Sequence, residues 1–181
     1  FGLVGMALVC AALFRLRGMT GDMMPIVEFR WAAKPPIAVA TNALPTPQLS
    51  KSSAAAAFPQ FYGANRDGVL PGLKLDTNWT AHPPQIVWRL SVGAGWSGFV
   101  VADGLCLTQE QRGEEECVVA RDLATGREVW RHADHARYNT TIAGEGPRAT
   151  PTVVGNRVFT FGATGLLNCL DLATGRPVWT R

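Results

Sequence analysis

The chain has 181 residues, of which 47% are hydrophobic and 17% charged; that is enough apolar material for one packed domain and too much for wholesale disorder. Nineteen glycines and twelve prolines demand many turns, which suits short strands better than long helices. The net charge of +3 is local: residues 1–57 hold five Lys/Arg against two Asp/Glu and residues 58–181 hold twelve of each, so the globular part carries no electrostatic footprint for nucleic acid.

Residues 1–14, FGLVGMALVCAALF, carry no charge and are followed by RLR. As a helix they would span about 21 Å, against a hydrocarbon core of about 30 Å. No basic segment precedes the run and no small-x-small site follows it, so a cleaved signal is disfavoured. Residues 1–17 therefore read as the end of a membrane helix whose start is missing. A buried soluble helix is the weaker alternative, because no polar face interrupts the run. Arg15 and Arg17 would place the downstream side in the cytoplasm. Residues 18–57 read as a juxtamembrane segment, including TGDMMPIVEFRW, followed by a Pro/Ala/Ser-rich linker, TNALPTPQLSKSSAAAA at 41–57. The globular part is expected over 58–181. Phe1 in place of Met, and an end just past the strand-like PVW, read as a piece of a longer protein.

From residue 85 the pattern is strands and turns. Segments 85–92, 98–102, 104–110, 116–123, 127–132, 150–154, 157–163, 166–172 and 176–180 are each short, rich in Val, Thr, Phe or Trp, and divided by Gly, Asn or Asp-Gly. No stretch after residue 58 holds helical periodicity over three turns. The region is expected to be all-β.

Two of these segments nearly coincide: ARDLATGREVW at 120–130 and CLDLATGRPVW at 169–179. In each, the Asp carboxylate (122, 171) can bond a nearby backbone N–H and start a turn. The Gly (126, 175) supplies positive φ where the chain reverses. Four residues on, a Trp (130, 179) gives the returning strand a large apolar face. Upstream, SGFVVADGLCLT (97–108) and ATPTVVGNRVFT (149–160) share the form strand, polar turn, strand. Each repeat is thus about four strands in about fifty residues, the size of a β-propeller blade, which buries its faces on its neighbours.

The motif AxDxxTGxxxW, carried by Ala120, Asp122, Thr125, Gly126 and Trp130 and again by Asp171, Thr174, Gly175 and Trp179 with Cys169 in the Ala position, resembles the tryptophan-docking motif of the pyrroloquinoline quinone (PQQ) repeat propellers. FPQFYGANRDG (58–68) resembles the lead-in before the first blade of that family. The resemblance implies a ring of seven or eight blades, of which this chain would supply about two and an entry strand, after an N-terminal apolar helix and linker. It implies an extracytoplasmic, periplasmic ring, against the local Arg pattern. It also implies one of two functions. Enzymes of the family oxidise alcohols or sugars with PQQ on calcium, using Glu and Asn ligands, an Asp base and often adjacent cysteines; no adjacent cysteines occur here. Other members are scaffolds, among them a lipoprotein that assists outer-membrane protein assembly. The favoured expectation is a membrane-anchored binding scaffold that meets other proteins on a propeller face. The alternative is a PQQ-dependent oxidoreductase whose catalytic blades lie elsewhere.

No catalytic residue can be assigned from the sequence. The ligand candidates are Gln109, Glu110 and Arg112 in QEQRGEEE, a charged hairpin tip whose plainer reading is a solvated turn. They are joined by Tyr138, Asn139, Glu145 and Arg148 in the 136–151 connection, which is longer than a strand linker needs. Arg148 suits a carboxylate or quinone oxygen. His132 and His135 are poorly spaced for one metal, and no metal site is expected. Cys106 and Cys117 could face each other across a hairpin, although buried free thiols are the simpler expectation. Trp79, Trp88 and Trp96 read as core or inter-blade anchors.

Overall fold

A computed structural model describes residues 2–19, 24–32 and 57–181. The apolar run forms α1 (Gly2–Leu13), which ends four residues before the expected boundary. From Phe14 the apolar and polar residues alternate, and this period of two favours a strand. β1 (Phe14–Met19) accordingly pairs antiparallel with β2 (Pro25–Phe29). Among the described residues no helix is long and apolar enough to cross a membrane. Residues 20–23 and the linker up to residue 56 lie outside the described residues.

The globular part is built from two four-stranded antiparallel sheets. The first, in the order β3 (Val100–Ala102), β4 (Leu105–Arg112), β5 (Glu115–Asp122) and β6 (Glu128–Asp134), is one blade. A connection follows with its own small hairpin, β7 (Asn139–Thr140) and β8 (Gly144–Glu145). The second blade runs β9 (Thr152–Val154), β10 (Arg157–Phe161), β11 (Leu167–Asp171) and β12 (Pro177–Thr180).

The doubled hexapeptide makes the same turn twice. Asp122 Oδ1 accepts from the Thr125 N–H at 2.8 Å and from its hydroxyl at 2.7 Å; Asp171 Oδ1 accepts from the Thr174 N–H at 3.1 Å and hydroxyl at 2.8 Å. The threonine hydroxyl holds each carboxyl below its ordinary range. Gly126 and Gly175 sit at φ 72° and 69°, which glycine adopts without steric cost. Both ladders slip in register at the same place, after Ala120 and after Cys169. Ala120 faces Trp130 and Cys169 faces Trp179, so the two indoles occupy equivalent positions in their blades.

The core lies between the sheets. Val100, Ala102, Leu107, Val118, Ala120 and Trp130 from the first blade meet Val153, Val158, Leu170 and Leu172 from the second. Trp130 lies over the second blade's turn, with its indole N–H donating to Leu172 O at 2.8 Å. Trp88 repeats this contact one blade earlier: its N–H donates to Leu123 O at 2.9 Å and its ring lies over Gly126. The expected anchor role of Trp88 therefore holds, but the strand expected at 85–92 does not form. This segment stays outside any ladder. Trp79 and Trp96, by contrast, are not anchors, being 56% and 68% exposed. At the inner edge, Phe58 pairs with Val101, and Pro59 O accepts from the Val153 N–H at 2.7 Å, so the lead-in segment crosses the innermost strands of both blades.

Candidate functional site

The two candidate segments meet at one end of the first blade. The β4–β5 reversal at Gly113–Glu114 and the connection after β6 both emerge there, and Arg137 joins them by pairing with Glu114 at 2.7 Å and Glu145 at 3.2 Å.

β4 is covered on both faces from Cys106 to Gln111, because the second blade lies on one side and residues 88–96 on the other. Its alternating residues therefore serve two different surfaces. Gln109 is buried and donates from Nε2 to Ala149 O at 2.6 Å, while its N–H donates to Ser97 Oγ at 3.2 Å. Gln111, which the sequence gives no reason to single out except that it shares a face with Gln109, donates to Gly113 O at 3.1 Å and Ala136 O at 2.9 Å. On the opposite face Glu110 is 1% exposed. It accepts from the Gly93 N–H at 2.6 Å and from Arg112 Nε at 2.6 Å. Arg112 reaches on to Glu128 at 3.1 Å, and Arg121 and Arg131 lie against the same Glu128. QEQR is thus not a solvated turn. It is a buried polar layer that staples the blade to the segments on either side.

The 136–151 connection is stapled in a similar way. The Arg148 guanidinium donates to Gly146 O at 2.8 Å and also to Ala143 O, and it lies 4.7 Å over the Tyr138 ring. Asn139 is exposed and paired with Glu145 in the β7–β8 ladder. Arg148, the candidate for a carboxylate or quinone oxygen, instead caps the carbonyls of its own loop. Two large apolar side chains stand exposed at this end: Trp96, 68% exposed and lying over Gly144, and Ile142, 77% exposed.

A second polar seam joins the blades below this end. His132 Nε2 lies 3.2 Å from Asp134 Oδ1, Asn168 donates to Asp134 Oδ2 at 2.7 Å, and the Thr180 hydroxyl donates to Asn168 Oδ1 at 2.7 Å. Glu116, directly across the ladder from Asp134, accepts from the Ala163 N–H at 3.0 Å. Burial pushes the Glu116 carboxyl above its ordinary value of 4.5, the Ala163 bond opposes this, and the Asp134 charge adds to it. An acid whose folded value is raised costs stability once it ionises. Glu116→Gln, which keeps an oxygen for Ala163, should therefore match the parent below pH 4.5 and become the more stable of the two as pH rises to 7. Urea midpoints at the two pH values would check this; a variant weaker than the parent at pH 7 would contradict it.

Among the described residues no group of three or more His, Cys, Asp or Glu is placed to hold a metal ion. Cys106 faces Arg121 and Cys117 faces Glu110, so the hairpin register separates the two thiols and all four cysteines are free. Burial raises the Cys117 thiol to about 11, which leaves it inert at neutral pH. The residues present do not fit a calcium–quinone site: Glu110 is spent on Gly93 and Arg112, and Gln109 on Ala149.

A four-stranded antiparallel sheet, repeated, with a tryptophan of one unit seated on the turn of the next, defines a β-propeller blade. Residues 114–181 match a family model described as outer membrane protein assembly factor BamB, and the chain carries repeats of the PQQ-like β-propeller family. No curated protein matches the chain. Among solved structures, a europium-containing methanol dehydrogenase is 22% identical over 50% of this chain and 15% of its own, with a TM-score of 0.35. BamB from Moraxella catarrhalis is 21% identical over 49% of this chain and 22% of its own, with a TM-score of 0.32. The chain therefore spans less than a quarter of either protein's length.

Proposed function

We propose that this protein is an extracytoplasmic, membrane-anchored interaction scaffold that presents the stapled end of its first blade to another protein. The observation that carries this reading is the consumption of the polar candidates. Gln109, Glu110, Arg112 and Arg148 are all turned inward to backbone carbonyls, a backbone N–H or one another, while Trp96 and Ile142 point outward. A catalytic site holds convergent polar groups in reserve for its substrate; a docking surface presents rigid aromatic and aliphatic side chains on a braced backbone. The description of the matched family as an assembly factor agrees with the second arrangement.

Titration of the full-length protein with PQQ and calcium, followed by a dye-linked assay on alcohols and sugars, should give no turnover. Robust oxidation would replace the scaffold with the oxidoreductase alternative.

A further inference from the structure

The N-terminal hairpin has two unlike faces. Phe14 lies opposite Phe29 and Leu16 opposite Val27, whereas Arg15 lies opposite Glu28. The apolar four are 42%, 44%, 47% and 57% exposed in that order. Trp31 is 65% exposed and extends the face, edge-on to Phe29, which is itself edge-on to Phe14. The polar face is closed by the Arg15–Glu28 ion pair at 3.2 Å. The hairpin also carries the charge-free helix α1, on which Met6, Val9 and Cys10 are exposed.

Helix and hairpin are pinned into one unit. The Arg30 N–H donates to Leu13 O at 2.8 Å and its guanidinium to Ala11 O at 3.0 Å. These are carbonyls at the end of α1, which would otherwise lack partners. In hydrocarbon an unpaired carbonyl is costly, so this cap lets the C-terminal end of the helix sit at an apolar boundary. On its other side the hairpin rests on the stapled end of the first blade, where Gly18 lies against Thr141 O.

We infer that the β1–β2 hairpin is an interfacial collar: its aromatic face seats in an anionic lipid bilayer surface and α1 enters the hydrocarbon. Three features favour lipid over a second copy of the chain. The apolar surface is continuous with a helix that has no polar face. Its aromatic residues cluster at the rim where the polar ion pair begins, as at a membrane–water boundary. The basic excess of the chain lies entirely in residues 1–57, which suits anionic headgroups. The inference deepens the anchored part of the reading above, and its test uses lipid alone, so it can fail while the scaffold role stands.

Cys10 is exposed and the other three cysteines are buried, so a maleimide reports on α1. With the full chain, vesicles of phosphatidylcholine and phosphatidylglycerol should shield Cys10 from a water-soluble maleimide, and brominated lipid should quench the parent more than Trp31→Phe. Arg15→Gln should weaken binding to these vesicles about fivefold while leaving pure phosphatidylcholine binding unchanged. Equal Cys10 labelling with and without vesicles would overturn the inference. So would Cys10 protection that rises with protein concentration in the absence of lipid, which would make a second copy the occupant.

Discussion

Trp130→Ala is expected to cost about 3–5 kcal/mol of unfolding free energy, the range for removing a buried tryptophan or phenylalanine from a packed core. The indole is 8% exposed, lies in the apolar cluster between the blades, and donates to Leu172 O. Truncation opens a cavity and leaves that carbonyl without its donor. The receiving side can be tested independently. A Cβ at Gly175 would lie 2.6 Å from Trp130 Cδ2, on a backbone held at φ 69°. Gly175→Ala should therefore damage the same contact twice over, by overlap and by backbone strain. Because both changes break one contact, the double variant should fall well short of the sum of the singles. Trp179→Ala, at an equivalent register position but 37% exposed, should cost much less. Urea unfolding of the four variants beside the parent decides the matter: comparable losses for Trp130→Ala and Trp179→Ala would mean that blade-to-blade docking is not what holds the two sheets together.

This contact shows why the fold was legible. The Asp-Thr-Gly turn and the Trp four residues later are local chemistry, and their recurrence forty-nine positions apart tells that one sheet is laid on another. The boundary of α1 was legible in principle as well: Phe-Arg-Leu-Arg after Leu13 alternates, although the unbroken apolar run before it draws the eye to a longer helix. Trp88 was visible as an anchor, but its strand was not refutable from sequence. QIVWRLSV has strand composition, and whether it pairs depends on a partner edge that no local pattern reveals.

The candidate site was less legible, for a physical reason. Seven of the eight residues in QEQRGEEE, all but the glycine, are charged or amide-bearing, so composition alone argues for solvent. Register argues otherwise: with the reversal at Gly113–Glu114, Gln109 to Gln111 lie inside the ladder. What then covers β4 is the backbone near Gly93 on one face and Pro147–Ala149 on the other. Both are close in space and distant in sequence. Gly93 illustrates how tightly they approach: a Cβ there would lie 3.2 Å from Glu110 Cβ and closer still to the Gln111 carbonyl. A glycine in SVGAGW looks like a loop residue until the strand it rests on is known.

That burial sets up the second large effect. Arg112→Met should destabilise the protein by about 3–5 kcal/mol, because removing one partner of a buried pair leaves the other charge uncompensated. Glu110 keeps the Gly93 N–H but loses both of its Arg112 contacts, and Glu128 loses one of its cations. If the cost comes from the stranded carboxylate rather than from lost packing, Glu110→Gln in the same chain should recover most of it: the neutral amide still offers an oxygen to Gly93 and carries no charge to strand. The Glu110→Gln single variant should fall between the parent and Arg112→Met, since Arg112 retains Glu128 and is 20% exposed, leaving its charge partly in water. A double-mutant cycle on the parent and these three variants yields the coupling directly. Additive losses would show that the two side chains act separately and that β4 is held by its backbone ladder and the Gln109–Ala149 bond alone. A large positive rescue would show that the charged residues of QEQR serve the architecture, and the same rescue would leave lipid binding through the N-terminal hairpin unchanged.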